Sequence, residues 1–316
     1  MNLIEIVKTV IYGIVEGITE WLPISSTGHM LLLNQIMPLD VSQDFWDMFL
    51  VVIQLGAIIA VLVLFFHKLN PFSSKKNATE KRQTWSLWGK AIVGCIPAAI
   101  VGIPLDDWME EHLGSPFVIA AALIAYGIAF IAIESVRERK AAGLLASGKA
   151  AATGSVYTPK HLAVAHSAEP LTVSQLADAD ARVTDIDELD WKTVIGIGLF
   201  QVLSIVPGTS RSGSTIIGGL LLGCSRAVAA EFTFYMAIPV MFGASGLRLV
   251  KYFVKGNTFT MDEVTILLVG CVVAFLVSLA AIRFLMDFVK KHDFKPFGWY
   301  RIILGIVVIA YFALLG

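Results

Sequence analysis

Six stretches of about 20 mostly apolar residues, near 45–66, 86–105, 117–135, 227–250, 264–286 and 298–315, leave this chain few folds to choose from. In hydrocarbon no water pairs with a peptide group, so each stretch must satisfy its own N–H and C=O groups, and an α-helix does so. The chain reads as an all-α polytopic membrane protein with six transmembrane helices. Its residues are 56% hydrophobic and only 16% charged, against roughly 25% charged in an average soluble domain. No segment is large enough to fold as an independent soluble domain, which excludes an anchored scaffold. A formal net charge of −1 excludes a nucleic-acid partner, which would need a strongly basic face. Cys95, Cys224 and Cys271 lie far apart in apolar runs and read as small buried hydrophobes rather than as a disulfide or zinc framework.

Two other apolar segments, 5–22 and 193–206, are too short or too polar to cross a bilayer. Each runs into proline and then into a hydroxyl-rich stretch, Pro23-Ile24-Ser25-Ser26-Thr27-Gly28-His29 and Pro207-Gly208-Thr209-Ser210-Arg211-Ser212-Gly213-Ser214-Thr215. The short arms Met30–Met37 and Thr215–Cys224 follow, so both units read as re-entrant helical hairpins. Irregular polar backbone at bilayer depth is tolerated only where protein or a water-filled cavity satisfies it, which marks these stretches as the working site. Lys8 before an apolar run resembles a signal peptide, but Glu16 and Glu20 interrupt the run, and the start reads as mature protein.

Loop charges orient the layout, because short cytoplasmic loops collect Lys and Arg. Lys68, Lys75, Lys76, Lys81 and Arg82 place the 67–85 loop inside, and the acidic connection Asp106-Asp107-Trp108-Met109-Glu110-Glu111 falls outside. Arg137, Arg139 and Lys140 return the chain to the inside, and Lys290, Lys291, Lys295 and Arg301 place the 287–301 loop there too. Both termini are then outside, with the first hairpin entering from the outer face and the second from the cytoplasmic face.

A hairpin followed by three spans occurs twice, and an odd number of crossings turns the second copy upside down, as in many transporters. Aligning Pro23 with Pro207 pairs Ser26 with Ser210 and Thr27 with Arg211. The expected units are a first repeat over 1–140, a polar insertion over 141–190 and a second repeat over 191–316. The insertion reads as a partly flexible cytoplasmic linker with a solvated acidic run, Asp178, Asp180, Asp185, Asp187, Glu188 and Asp190. Its spacing lacks the central Gly and terminal Glu of a calcium loop.

The chemistry-bearing residues sit in the hairpins. Glu16 and Glu20, one helical turn apart, would project from one face with Cβ atoms about 5–6 Å apart. Two buried carboxylates that close call for a cation or a proton between them, and hard divalent cations prefer such oxygens. Ser25 and Ser26 supply hydroxyl nucleophiles, and His29 could manage a proton for either. Arg211 is the only basic residue between Lys192 and Arg226 and needs an anion. Its fork fits phosphate, with Ser210, Ser212, Thr215 and the amides at the start of the returning arm completing a cradle. Together these residues suggest phosphoryl transfer to water from a lipid-borne phosphate ester.

The segments GIVEGITEWLPISSTGH at 13–29 and PGTSRSGST at 207–215 resemble the two signature motifs of the bacterial undecaprenyl-pyrophosphate phosphatase family, also called the bacitracin-resistance family. Val51–Ala57, Gly223–Phe234 and Ala237-Ile238-Pro239 are similar to it as well, so the resemblance covers nearly the whole chain except roughly 141–190. It implies hydrolysis of undecaprenyl pyrophosphate to undecaprenyl phosphate and inorganic phosphate in the bacterial plasma membrane, with magnesium or calcium as cofactor and the site open to the outer face. It further implies that Glu16 and Glu20 form the acidic motif, Ser26 is the nucleophile and His29 its partner, and Arg211 with Ser210 and Thr215 binds phosphate. Ser25, Thr27 and Ser212 would add substrate contacts, while Ser25 or a metal-activated water would serve equally as nucleophile. The expected partners are the polyprenyl pyrophosphate and membrane lipids, with a homodimer open. The rival expectation is a lipid flippase or transporter without chemistry, which would release no phosphate.

Overall fold

The computed structural model describes residues 2–146 and 172–314 and is helical apart from short connections and one isolated β-bridge. Six helices are long and apolar enough to cross a membrane: α3 (Gln43–Leu64), α5 (Ala78–Leu113), α6 (Pro116–Ala146), α10 (Arg226–Val254), α11 (Met261–Val289) and α12 (Lys295–Leu314). Side chains such as Val63, Ile100, Val136, Leu276 and Ile306 point outward as the apolar surface a bilayer would cover.

Four shorter helices form two hairpins, α1 (Leu3–Thr19) with α2 (Ser26–Ile36), and α8 (Trp191–Val202) with α9 (Arg211–Leu221). The remaining pieces are α4 (Phe66–Leu69), α7 (Val173–Ala179) and two 3-10 turns at Ile186–Glu188 and Leu203–Ile205. The hydroxyl-rich stretches are less irregular than their composition suggests, since most of each is the first turn of a returning helix. Ser25 caps α2 and Ser210 caps α9, each accepting a hydrogen bond from the glycine N–H three residues on, at 3.4 and 3.2 Å. Both hold positive φ, 71° and 70°, the only non-glycine residues described that do so. The structural equivalence is therefore Ser25 with Ser210, one residue away from the register drawn through the prolines.

Helix packing is reciprocal between the halves. α1 lies on α11 as α8 lies on α5, while α3 faces α10 and α6 faces α12. Glycines permit the closest approaches. A Cβ on Gly127 would stand 2.6 Å from the Gly298 carbonyl, and one on Gly298 would stand 2.7 Å from the Gly127 carbonyl, so α6 and α12 meet backbone to backbone.

Three expectations need correction. The acidic connection after the second span is not a loop, because α5 continues as helix to Leu113; the side chains of Asp106, Asp107 and Glu110 lie outside the description. Arg301 is not a loop charge. It lies inside α12 and is wholly buried. Of the 141–190 insertion, 147–171 lie outside the described residues, but 172–190 are docked rather than a solvated linker. Val183 donates to the Gly223 carbonyl and accepts from Ser225 N, at 3.0 and 2.9 Å. Asp178 accepts from Arg226 N at 2.6 Å and pairs with Arg137 at 3.1 Å, and Asp190 caps α8 through Thr193 N at 2.7 Å. Asp178, Asp180, Asp185 and Asp190 serve as caps and ties, while Asp187 and Glu188 are exposed as a solvated run would be. All three cysteines are free, with Cys95 and Cys224 buried and Cys271 partly so.

Candidate active site

The tips of the two hairpins meet. Glu20, the C-cap of α1, turns its carboxylate toward the start of both returning helices. One oxygen, Oε1, lies 3.1 Å from Arg211 Nη2, and the other, Oε2, accepts the Ser26 hydroxyl at 2.9 Å. Arg211 and Glu20 are each about nine-tenths buried, at 11% and 8% exposure, so the pair works at low dielectric. Arg211 Nη1 also donates to the Thr233 carbonyl of α10 at 3.1 Å, which fixes the guanidinium plane.

Around this pair the hydroxyls bond to backbone and to one another. Ser212 donates to the Glu20 carbonyl at 3.2 Å and lies 3.1 Å from the Ser210 hydroxyl. Thr215 shares a 2.8 Å hydrogen bond with Thr233 and reaches the Arg211 carbonyl at 3.0 Å. Thr27 is exposed on the same turn as Ser26 and is not tied into this network. Glu16, one turn before Glu20, is 1% exposed, and its Oε1 has no hydrogen-bond partner.

His29 makes no hydrogen bond to Ser26. Its Nδ1 lies 2.7 Å from the Ser25 carbonyl, which can only accept, so Nδ1 carries the proton. In the neutral ring Nε2 then accepts from the Tyr300 hydroxyl at 2.7 Å, and the two rings stack at 5.6 Å. The carboxylate that accepts the Ser26 hydroxyl is that of Glu20.

Arg301 and Tyr300 are the residues that sequence reasoning missed. Arg301 donates to carbonyls of both tips, Pro23 at 3.2 Å and Gly208 and Thr209 at 2.9 Å each, and its guanidinium stands 5.3 Å from the Tyr126 ring centroid. No carboxylate neutralises it among the described residues. It therefore pins the two tips together and adds positive charge beneath them. A lone arginine just inside an apolar run was the available signal, masked by its closeness to the lysine-rich loop.

The fit of a divalent cation can be judged from these oxygens. No group of three or more His, Cys, Asp or Glu residues among those described could hold a metal alone. The Glu16–Glu20 pair, with an orphaned buried oxygen on Glu16, does fit a magnesium- or calcium-type ion that completes its shell from substrate phosphate and water.

Comparison with known proteins agrees with this chemistry. The family model for "Bacitracin resistance protein BacA" matches residues 9–307. The chain is 52% identical over 309 residues to an undecaprenyl-diphosphatase of Streptococcus thermophilus, covering 98% of this chain and 94% of that one. It is 50% identical over 309 residues to one of Latilactobacillus sakei, covering 98% of each, and 48% identical over 304 residues to one of Enterococcus faecalis, covering 96% of each. These relatives carry the name of a phosphatase rather than that of a transporter.

Proposed function

The chain belongs to the bacitracin resistance protein BacA family, and on that premise we propose that it is an integral membrane phosphatase hydrolysing undecaprenyl pyrophosphate to undecaprenyl phosphate and inorganic phosphate. It thereby recycles the carrier lipid for cell-wall synthesis and confers bacitracin resistance. The observation that carries the catalytic assignment is the sharing of one buried carboxylate: Glu20 holds Ser26 through Oε2 and Arg211 through Oε1.

In the proposed reaction Arg211 leaves part of its pairing with Glu20 to hold the terminal phosphate, aided by Ser210, Ser212, Thr215 and the N-terminus of α9. The Ser26 hydroxyl gives its proton to Glu20 as Oγ attacks the terminal phosphorus. The bond from that phosphorus to the bridging oxygen breaks, and undecaprenyl phosphate leaves with the electron pair. Water then attacks the phosphoserine, Glu20 returning the proton to Oγ, and inorganic phosphate is released. Ser25 is a weaker nucleophile candidate because its hydroxyl is committed to the α2 cap. His29, held between Ser25 O and Tyr300, is left to exchange a proton at Nε2 alone, and Thr27 contacts substrate from the exposed face of the turn. A divalent cation held by Glu16 and Glu20 would neutralise diphosphate charge.

The two hairpins are proposed to be re-entrant halves of an inverted repeat, with units over 1–140 and 191–316, in the bacterial plasma membrane. Reciprocal helix packing supports this, and the basic loops support a site open to the outer face. The test is phosphate release from a polyprenyl pyrophosphate in detergent, with and without chelator, by wild type, Glu20→Gln, Ser26→Ala and Arg211→Ala. Loss in each variant is expected, by at least about a hundredfold for Arg211→Ala. Wild-type activity in Arg211→Ala would sink the assignment, and an inert wild type would return the chain to the transporter reading.

A further inference from the structure

α12 brings two consecutive side chains to the first hairpin tip, and the chemistry above assigns a task to only one of them. Arg301 points inward and binds tip carbonyls, whereas Tyr300 is 44% exposed and meets His29. Tyr300 Oη lies 2.7 Å from His29 Nε2, and the two rings stack with centroids 5.6 Å apart and planes 8° from parallel. His29 in turn is anchored to the turn that carries Ser26, because Nδ1–H donates to the Ser25 carbonyl at 2.7 Å. Ser26 and His29, three residues apart on α2, are neighbours on its surface.

Both nitrogens of the imidazole are thereby engaged. The Ser25 carbonyl can only accept, so Nδ1 keeps its proton, and any proton gained or lost belongs to Nε2. Nε2 is covered by a hydroxyl, a group that can serve the ring in either state. It donates to neutral Nε2. A proton arriving at Oη displaces the hydroxyl's own proton onto Nε2: one O–H bond breaks, one O–H and one N–H bond form, and the contact survives with Nε2–H donating.

Phenylalanine would stack on the imidazole as well, without carrying a polar group into apolar surroundings, so the hydroxyl rather than the ring is what needs a reason. Other groups around α2 do not take its place. Arg301 repels a protonated ring, Glu20 and Tyr12 of α1 bond Ser26 and Asn34 instead, and α6 brings the apolar Leu123 against Gly28. Resting on the phosphatase reading, we propose that Tyr300 is a positioning residue for hydrolysis that acts through His29: its hydroxyl holds the ring against the Ser26 turn and carries each proton that Nε2 takes up or gives back.

Wild type, Tyr300→Phe, His29→Gln and the double variant, all full-length in detergent, test this through steady-state phosphate release across pH and through the melting temperature. Tyr300→Phe keeps the stacked ring and removes only the hydroxyl. Its kcat is expected to fall about tenfold with KM within about twofold of wild type, the upper end of what one hydrogen bond is worth. Bonds from a charged donor are about twice as strong as neutral ones, so losing the hydroxyl disfavours the protonated ring more, and the acid limb of the kcat profile should move down by roughly half to one pH unit. In the His29→Gln background the same change should cost less than about twofold, since its effect runs through the ring. A Tyr300→Phe kcat within about twofold of wild type, an acid limb that stays in place, or an equal loss with and without His29 overturns the proposal. So does a Tyr300→Phe protein that melts lower in step with its activity or fails to fold, which would make the hydroxyl structural. Where His29→Gln is too slow to measure, the acid limb decides. All of these outcomes leave the phosphatase reading standing, whereas an inert wild type removes that reading and this one with it.

Discussion

Glu20 and Arg211 stand 191 residues apart in sequence and meet at 3.1 Å, each nearly buried, so that one ion pair joins the two hairpins. Removing one partner strands the other charge, which costs about 3–5 kcal/mol, whereas removing both leaves no stranded charge. Arg211→Met should therefore lower the melting temperature in detergent, and adding Glu20→Gln should restore most of the loss without restoring phosphate release. A double variant as unstable as the single one would show that the pair is not the source of the effect.

The two N-cap serines carry a related prediction. Ser25 and Ser210 hold φ near +70° and accept the Gly28 and Gly213 amides. Alanine keeps the backbone strain and loses the cap, which is worth roughly 0.5–2 kcal/mol, whereas glycine loses the cap and relieves the strain. Thermal unfolding should place Ser210→Gly closer to wild type than Ser210→Ala, and the same order should hold at Ser25.

Arg301 ties Pro23 to Gly208 and Thr209 through buried carbonyls. Arg301→Met would leave three acceptors unpaired at about 1–3 kcal/mol each. The fold should lose at least about 3 kcal/mol on that basis, and phosphate release should fall because the tips are no longer held in register. Arg301→Lys, one point charge for a fork, should recover only part of either loss. An Arg301→Met protein that melts with wild type would contradict the burial described for it.

Away from the site, Arg226 binds Glu134 in a bidentate pair at 2.8 and 2.7 Å, with both side chains essentially unexposed, and reaches the Ser174 carbonyl at 2.8 Å. This network docks the 172–190 segment onto α6 and α10. Glu134→Leu alone should cost about 3–5 kcal/mol and loosen that segment, measured as faster proteolysis between 172 and 190. Glu134→Leu with Arg226→Met should regain melting temperature but leave the segment as open to protease as the single variant does.

Much of this was legible from the chain. A span through hydrocarbon must be a long apolar helix, so six spans and two arms too short to cross follow from length and polarity alone. The hydroxyl-rich breaks stood out for the same reason, as did Arg211, whose charge demands an anion. The internal register was misjudged by one residue because prolines made the natural anchor. The structure instead repeats the serine cap and its glycine, the residues that start the returning helix. Val-Gly-Cys at 93–95 and 269–271 is a second likeness between the halves, readable once the helix contacts gave it meaning.

Local sequence thus determined the helices, their ends and the supply of reactive groups, because helix length, capping and polarity act over a few residues. It also pointed to the family, through two motifs each read within a single hairpin. Tertiary structure alone decided which groups meet. Arg211 found its anion in Glu20 before any phosphate arrives, His29 turned to Tyr300 rather than to Ser26, and Arg301 left the basic loop for the carbonyls of two distant tips. Each of those pairings is made in a buried, low-dielectric interior where an unpaired charge or hydrogen bond is costly. The partner is whichever group the packing of distant helices brings within 3 Å or so, and no local window of sequence contains both members.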